Sequence, residues 1–225
     1  MDRAALFDID GTLTDTNYLH VVAWWEALRQ SGHQVPMHSV HRAIGLPGED
    51  LLDHLLGDDH DHEEDDRLGA AHDSLYATWF DRLPALASVA DLLRTLAAGG
   101  WRVVLVTSAR DRELSALRRA IDADDAIAET TTADDVEEGK PAPEPVRNAL
   151  RLAQVAPERA VFVGDTVWDM EAATRARVTA VGLLCGGIPR ADLEEAGATA
   201  VYRDPADLLA RLASSPFAAG GLPGV

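Results

Sequence analysis

The chain has 225 residues, enough for one large domain or a core carrying a smaller insert. Its 47% hydrophobic and 26% charged residues are those of an ordinary water-soluble globular protein. Asp and Glu number 38 against 20 Lys and Arg, a net charge of −18, which repels nucleic acid and anionic membranes and removes them as expected partners. An anionic small substrate entering that field needs a local positive site, from a metal ion or a placed lysine. The single Cys185 excludes an intrachain disulfide and fits a reducing cytoplasm; its flanks, Leu183-Leu184 and Gly186-Gly187, mark it as a small packed residue. No basic segment with an apolar stretch opens the chain, and no apolar run approaches membrane-spanning length, so a cytoplasmic location is expected.

The first apolar run, residues 4–7, reads as a buried strand, and Asp8 and Asp10 follow it. Two residues apart on a strand, both carboxylates aim at one spot, and Gly11 then permits a tight turn. Neighbouring buried carboxylates are costly unless a cation or a proton relieves one of them. A solvated strand-end turn is the plainer alternative. From about 16 to 83 the patterns are helical only: 18–30, with Trp24 and Trp25, then 49–56 and 64–80. They predict an inserted all-helical cap domain, bounded near 14–16 and 83–85, where Pro84 marks the return. Within it, 54–66 holds His54, His60 and His62 among acidic residues. This segment reads as a solvated acidic loop, with a metal-binding tract as the alternative.

Beyond residue 84, helices are expected at 89–98, 111–121, 143–153 and 204–212, and strands at 101–106, 160–163, 178–184 and 199–202. One further short strand is expected within 124–132. This alternation predicts an α/β, Rossmann-like core around a parallel sheet, and near-continuous apolar runs suit a sheet covered on both faces. The division is therefore 1–15 with 84–215 for the core, 16–83 for the cap, and 216–225 for a Gly- and Ala-rich flexible tail.

Ligands of a parallel sheet bind beyond the carboxyl ends of its strands. The residues expected there are Asp8 and Asp10, Thr107 and Ser108, and Gly164-Asp165-Thr166 with Asp169; Lys140 occupies the loop before the helix at 143. Several gathered carboxylates make a hard oxygen site, suited to Mg²⁺ rather than zinc. Lys140 and the hydroxyl and N–H groups at 107–108 would grip a phosphoryl group. A carboxylate kept ionised there can attack phosphorus, while a second protonates the departing alkoxide and then deprotonates water. Singly, each residue has a plainer reading: a helix N-cap for Thr107 and Ser108, a surface lysine, a strand-end turn and helix start for Asp165 and Asp169. Their joint position at strand ends favours one site.

Asp8-Ile9-Asp10-Gly11-Thr12-Leu13, Thr107-Ser108, Lys140-Pro141 and Gly164-Asp165-Thr166-Val167-Trp168-Asp169 resemble, in order and spacing, the four motifs of the haloacid dehalogenase superfamily. The resemblance covers nearly the whole chain, because many members carry a helical cap between the first two motifs. It implies Asp8 as nucleophile, Asp10 as general acid/base, Lys140 as charge balance, and Thr107 as phosphate ligand, with Ser108 and Gly11 beside it. It further implies Mg²⁺ held by Asp8, the main-chain carbonyl of Asp10, and Asp165, with Asp169 behind them orienting waters or Lys140. The carboxylate at Asp10 favours phosphate-ester chemistry over dehalogenation. A phosphoglycolate-phosphatase-like hydrolase of a small phosphorylated metabolite is the first expectation, and a β-phosphoglucomutase-type mutase the alternative. Residues 44–50 lack the basic residue that the mutase-like cap carries. His20 falls where some mutases have a gating histidine, or is a cap-packing histidine. Arg42, His41 and His20 are the candidate cap contacts to substrate. A non-catalytic binding protein on the same fold is a third reading, against which the intact motif set argues. Monomer and homodimer both stand.

Overall fold

Apolar runs become strands and amphipathic runs become helices in the computed structural model, which describes residues 3–57 and 59–218. The strands are β1 (Arg3–Phe7), β2 (Trp101–Val106), β3 (Ile127–Thr131), β4 (Ala160–Gly164), β5 (Thr179–Leu183) and β6 (Ala200–Tyr202). They form one parallel sheet in the order β3-β2-β1-β4-β5-β6, so the chain changes direction of travel between β1 and β4. That switch point opens a crevice at the strands' carboxyl ends.

Four helices precede the second strand's own crossover: α1 (Asn17–Gln30), α2 (Met37–Ala43), α3 (Gly48–Leu56) and α4 (Asp65–Tyr76). The remainder are α5 (Val89–Ala98), α6 (Asp111–Ile121), α7 (Glu144–Ala153), α8 (Val167–Arg175), α9 (Arg190–Glu195) and α10 (Pro205–Ala210). Successive β1 residues feed opposite faces. Ala5 and Phe7 pack with Leu92, Leu93 and Leu96 of α5, Leu117 of α6 and Leu208 of α10. Ala4 and Leu6 pack with Val146 and Leu150 of α7, Met170 and Ala173 of α8, and Leu193 of α9. With both faces covered, the strands need the unbroken apolar composition they have. The expected α/β parallel-sheet architecture is the one observed; α2 and α9, seven and six residues long, lie outside the helices expected from the sequence.

The helices α1–α4 have a core of their own, in which Val21, Trp24 and Leu28 meet Val40, Leu51, Leu52 and Leu68. The two chain segments joining this block to the sheet lie side by side. Asp15 N–H donates to Pro84 O and Leu86 N–H to Leu13 O, both at 2.9 Å, around an antiparallel Thr14–Ala85 bridge. No helix among the described residues is long and apolar enough to cross a membrane.

The expected flexible tail at 216–225 needs correction at its start. Phe217 is buried, stacked parallel to Phe7 at 6.4 Å and edge-on to Trp101 at 4.9 Å. A single aromatic anchor in a Gly- and Ala-rich segment carries no periodicity, so composition alone hid it. Residues 219–225, also within that expectation, lie outside the described residues.

Candidate active site

The strand β1 stops at Phe7, and residues 9–14 form a turn in which Thr12, Leu13 and Thr14 N–H groups all point to Ile9 O. Asp8 and Asp10 therefore do not share one direction, as an extended pair would. Asp8 accepts a hydrogen bond from Lys140 Nζ, whereas Asp10 Oδ1 accepts from Thr16 Oγ1 and faces His20 Nε2 at 3.3 Å. Gly11 sits at φ +77° inside this turn, where a Cβ would fall 2.4 Å from Asp165 Oδ2 and 2.3 Å from Asn17 Nδ2. Only glycine fits.

Asp165 and Asp169 are set by the start of α8. Thr166 caps the helix: its Oγ1 accepts from Asp169 N–H, while Asp169 Oδ2 accepts from Thr166 N–H and Oγ1. This reciprocal box leaves Asp169 Oδ1 facing Lys140 Nζ at 2.8 Å. Asp165, fully buried, accepts from Thr12 Oγ1 and Asn17 Nδ2, both at 2.7 Å. Gly186 closes over it; a Cβ there would overlap Asp165 Oδ2. Cys185 beside it is a packed thiol whose Sγ–H donates to Gly11 O at 3.1 Å, and burial pushes the thiol pKa up, as the packed-residue expectation requires.

Oxygens of Asp8, Asp165 and Asp169 gather within 4.8 Å of one another around a single buried ammonium, Lys140. Burial pushes the Asp8 carboxyl up to about 7 against the pull of Lys140. Burial and the charges of Asp8 and Asp169 raise Asp165 well above the carboxylate range. Burial works against the Lys140 charge, yet Asp169 and Asp8 lift it above an ordinary lysine. These shifts agree on one point: three carboxylates against one ammonium lack two positive charges. A divalent cation would supply that charge, and the all-oxygen donor set is of the hard kind that Mg²⁺ prefers, so the residues fit it.

A second polar group surrounds Asp10. Besides Asp10, His20 Nε2 lies 3.8 Å from Glu113 Oε1, its Nδ1 is 3.0 Å from His72 Nε2, and its ring stacks on Tyr76 at 3.8 Å. Burial works to lower the His20 pKa, but Asp10 and Glu113 hold it above its ordinary value. Burial likewise opposes Asp10, whose pKa the charge and hydrogen bond of His20 and the hydrogen bond of Thr16 hold low. Each thus favours the charged form of the other across 3.3 Å. Burial and the nearby Asp10 charge push Glu113 up to about 7.

Thr107 directly follows β2 with its N–H on Thr131 O, and its Oγ1 accepts from Ala109 N–H; Ser108 is exposed. Neither caps α6, whose N-cap is Arg110, so the plainer reading of this pair falls. Arg42 differs from expectation. It pairs with Asp192 at 2.7 Å and lines a surface groove with Pro36, His38 and His54, outside the group around Asp8, because a salt-bridge partner on α9 captures its guanidinium. His41 is held by Gly186 O at 2.7 Å and stacks on Tyr18. Sequence reasoning missed Asn17, Thr16, Glu113, His72 and Tyr76. Only the i, i+4 spacing of His72 and Tyr76 on α4 hinted that they share a face.

Residues 3–177 match the profile of the haloacid dehalogenase-like hydrolases. A phosphoglycolate phosphatase of Nitrosospira multiformis is 29% identical over 180 residues, covering 77% of this chain and 79% of that protein. The pyrophosphatase PpaX of Anoxybacillus flavithermus is also 29% identical over 180 residues, with 79% and 81% covered. The crystal structure of a hydrolase from Pseudomonas syringae superposes with a TM-score of 0.90 at 35% identity, over 97% of this chain and all of that one. A profile matched from the first strand through the helix that carries Asp169 makes this chain a member of the haloacid dehalogenase-like hydrolase family.

Proposed function

We propose that this protein is an Mg²⁺-dependent cytoplasmic phosphatase that hydrolyses a small phosphorylated metabolite through an aspartyl-phosphate on Asp8. The observation that carries the reading is the buried contact of Asp8 with Lys140, beside Asp165 and Asp169 and with Asp10 held apart on its own partners. The names of the 29%-identical relatives, a phosphoglycolate phosphatase and a pyrophosphatase, support a phosphoryl substrate.

Asp8, Asp165 and the Asp10 main-chain carbonyl would hold Mg²⁺, which supplies positive charge to the phosphoryl oxygens when bound. Asp8 attacks phosphorus, the phosphorus–oxygen ester bond breaks, and Asp10 passes a proton to the leaving oxygen. His20 Nε2, 3.3 Å from Asp10 Oδ1, is the neighbouring group with which Asp10 exchanges that proton. Lys140, kept in place by Asp169, offsets charge on the phosphoryl oxygens in the transition state. The Thr107 hydroxyl accepts from Ala109 and has its own proton to donate to phosphate. Water then attacks phosphorus, Asp10 takes its proton, the bond to Asp8 breaks, and inorganic phosphate leaves. The helices of residues 16–83 act as a cap that closes over Asp8 on the paired linkers at 14–16 and 83–85 and excludes bulk water.

The test is phosphate release from p-nitrophenyl phosphate with Mg²⁺, followed by a panel including phosphoglycolate and pyrophosphate. Activity should vanish in Asp8→Asn. An intact protein that turns over nothing on this panel is not a phosphatase. Conversion of β-glucose 1-phosphate to glucose 6-phosphate with a bisphosphate primer would establish the mutase alternative instead.

A further inference from the structure

We propose that Asp53, His60 and His62 form a second metal site, with water completing its shell, for a divalent transition-metal ion such as Zn²⁺, joining α3 to the turn before α4. The acidic, histidine-bearing segment is not simply a solvated loop. Asp53 lies on α3, Asp65 opens α4, and both histidines come from the turn between them. His60 Nδ1 and His62 Nδ1 lie 3.6 and 3.7 Å from Asp53 Oδ1, and one ligand atom from each of the three residues falls within 4.8 Å of the others. Metal–ligand bonds of about 2.0–2.2 Å in a tetrahedral site place neighbouring ligand atoms roughly 3.4 Å apart. The observed spacings are of that size.

Two further observations point to a ligand. Asp53 Oδ1, on a side chain 39% exposed overall, is itself shielded from solvent and has no hydrogen-bond partner among the described residues, both imidazoles approaching it at a distance too long for one. His60, only 6% exposed at its side chain, turns Nε2 to Asp65 Oδ1 at 2.7 Å. That contact fixes the tautomer leaving Nδ1 as the ligand, the usual carboxylate support of a metal-bound histidine. In the metal's absence a proton on Nδ1 bonds Gly57 O at 2.9 Å, so metal and proton compete for the same nitrogen. Imidazole donors separate this site from the all-oxygen group at Asp8, which prefers Mg²⁺.

The test is calorimetric titration of the EDTA-stripped full chain with Zn²⁺ under excess Mg²⁺, which occupies the Asp8 group. One equivalent of Zn²⁺ should bind to the wild type and to Asp8→Asn. Binding should weaken by more than about tenfold in His62→Ala and His60→Ala. His62 is exposed, so its alanine variant keeps the wild-type circular dichroism even if His60→Ala does not fold. Co²⁺ in place of Zn²⁺ should give the visible absorption of a tetrahedral site in the wild type and not in His62→Ala. Absence of Zn²⁺ uptake under Mg²⁺, uptake unchanged in folded His62→Ala, or uptake lost in Asp8→Asn would each overturn the proposal.

Discussion

Asn17 Nδ2 donates to Asp165 Oδ2 at 2.7 Å, so the first residue of the helical block clamps a carboxylate 148 residues away at the end of β4. The same amide reaches Gly186 O at 3.4 Å. Orientation of the proposed metal ligand thus depends on the block being docked. Replacing Asn17 by Ala leaves Thr12 as the one side-chain donor to Asp165 among the described residues, and partners that orient a ligand are worth ~10–100-fold in metal affinity. The Mg²⁺ concentration for half-maximal p-nitrophenyl phosphate turnover should rise by that factor in Asn17→Ala, with a smaller loss at saturating Mg²⁺. An unshifted Mg²⁺ curve would mean that Asp165 is positioned from the core alone.

Lys140 is the one cation in contact with Asp8 and Asp169 among the described residues. Removing one partner of a buried ion pair costs about 3–5 kcal/mol, because the other charge stays buried and uncompensated. Lys140→Ala should therefore lower urea-unfolding stability by that order without Mg²⁺ and recover part of it with Mg²⁺. Turnover should fall by at least ~10²-fold, as for loss of one group stabilising charge in the transition state. Equal losses of stability with and without Mg²⁺ would argue that no divalent cation enters this group.

The sheet was legible because a strand buried on both faces must be an unbroken apolar run, and residues 101–106 and 160–163 are such runs. The core residues of the site were legible for a related reason: Asp8, Thr107 and Asp165 directly follow strands, and strand ends converge. What a strand end does next was not legible. Asp10 turns to His20 because the chain winds around Ile9 O, a geometry that the spacing of two conceals. Asn17, His72 and Glu113 reach the site from three different helices, so their proximity depends on how the helical block docks. Arg42 shows the opposite case: it lies just upstream of residues 44–50 and pairs with Asp192, a partner that its place in the sequence does not reveal.

The His60–Asp65 pair gives a pH dependence with a defined sign. Hydrogen bonds to Asp65 and Gly57 raise the His60 pKa above its ordinary 6.5. A raised histidine stabilises the fold fully below its unfolded value and loses that contribution as pH rises through the folded one. Asp65, held low by His60 and His62 against the effect of burial, contributes above the ordinary carboxylate value and loses its share in acid. With EDTA present, the stability difference between wild type and Asp65→Asn should be largest between about pH 5 and 6.5 and shrink towards pH 8. Urea unfolding of both proteins across that range measures it, and a difference that grows with pH contradicts the assignment.

Phe217 ties the last described segment to the sheet. Its ring is sandwiched against Phe7 of β1 and the edge of Trp101 of β2, with 4% of its surface exposed. Truncating a buried Phe to Ala removes its transfer energy and leaves a cavity, typically ~3–5 kcal/mol. At about 2–4 °C per kcal/mol for a chain of this size, Phe217→Ala should lower the melting temperature by roughly 6–20 °C. Phe217→Leu should lose much less, since it fills most of the same volume. Because β1 leads directly into Asp8, the lost anchor should also loosen the strand end, seen as faster amide exchange at Leu6 and Phe7. Melting of Phe217→Ala at the wild-type temperature would show that the ring's contacts contribute nothing to the fold.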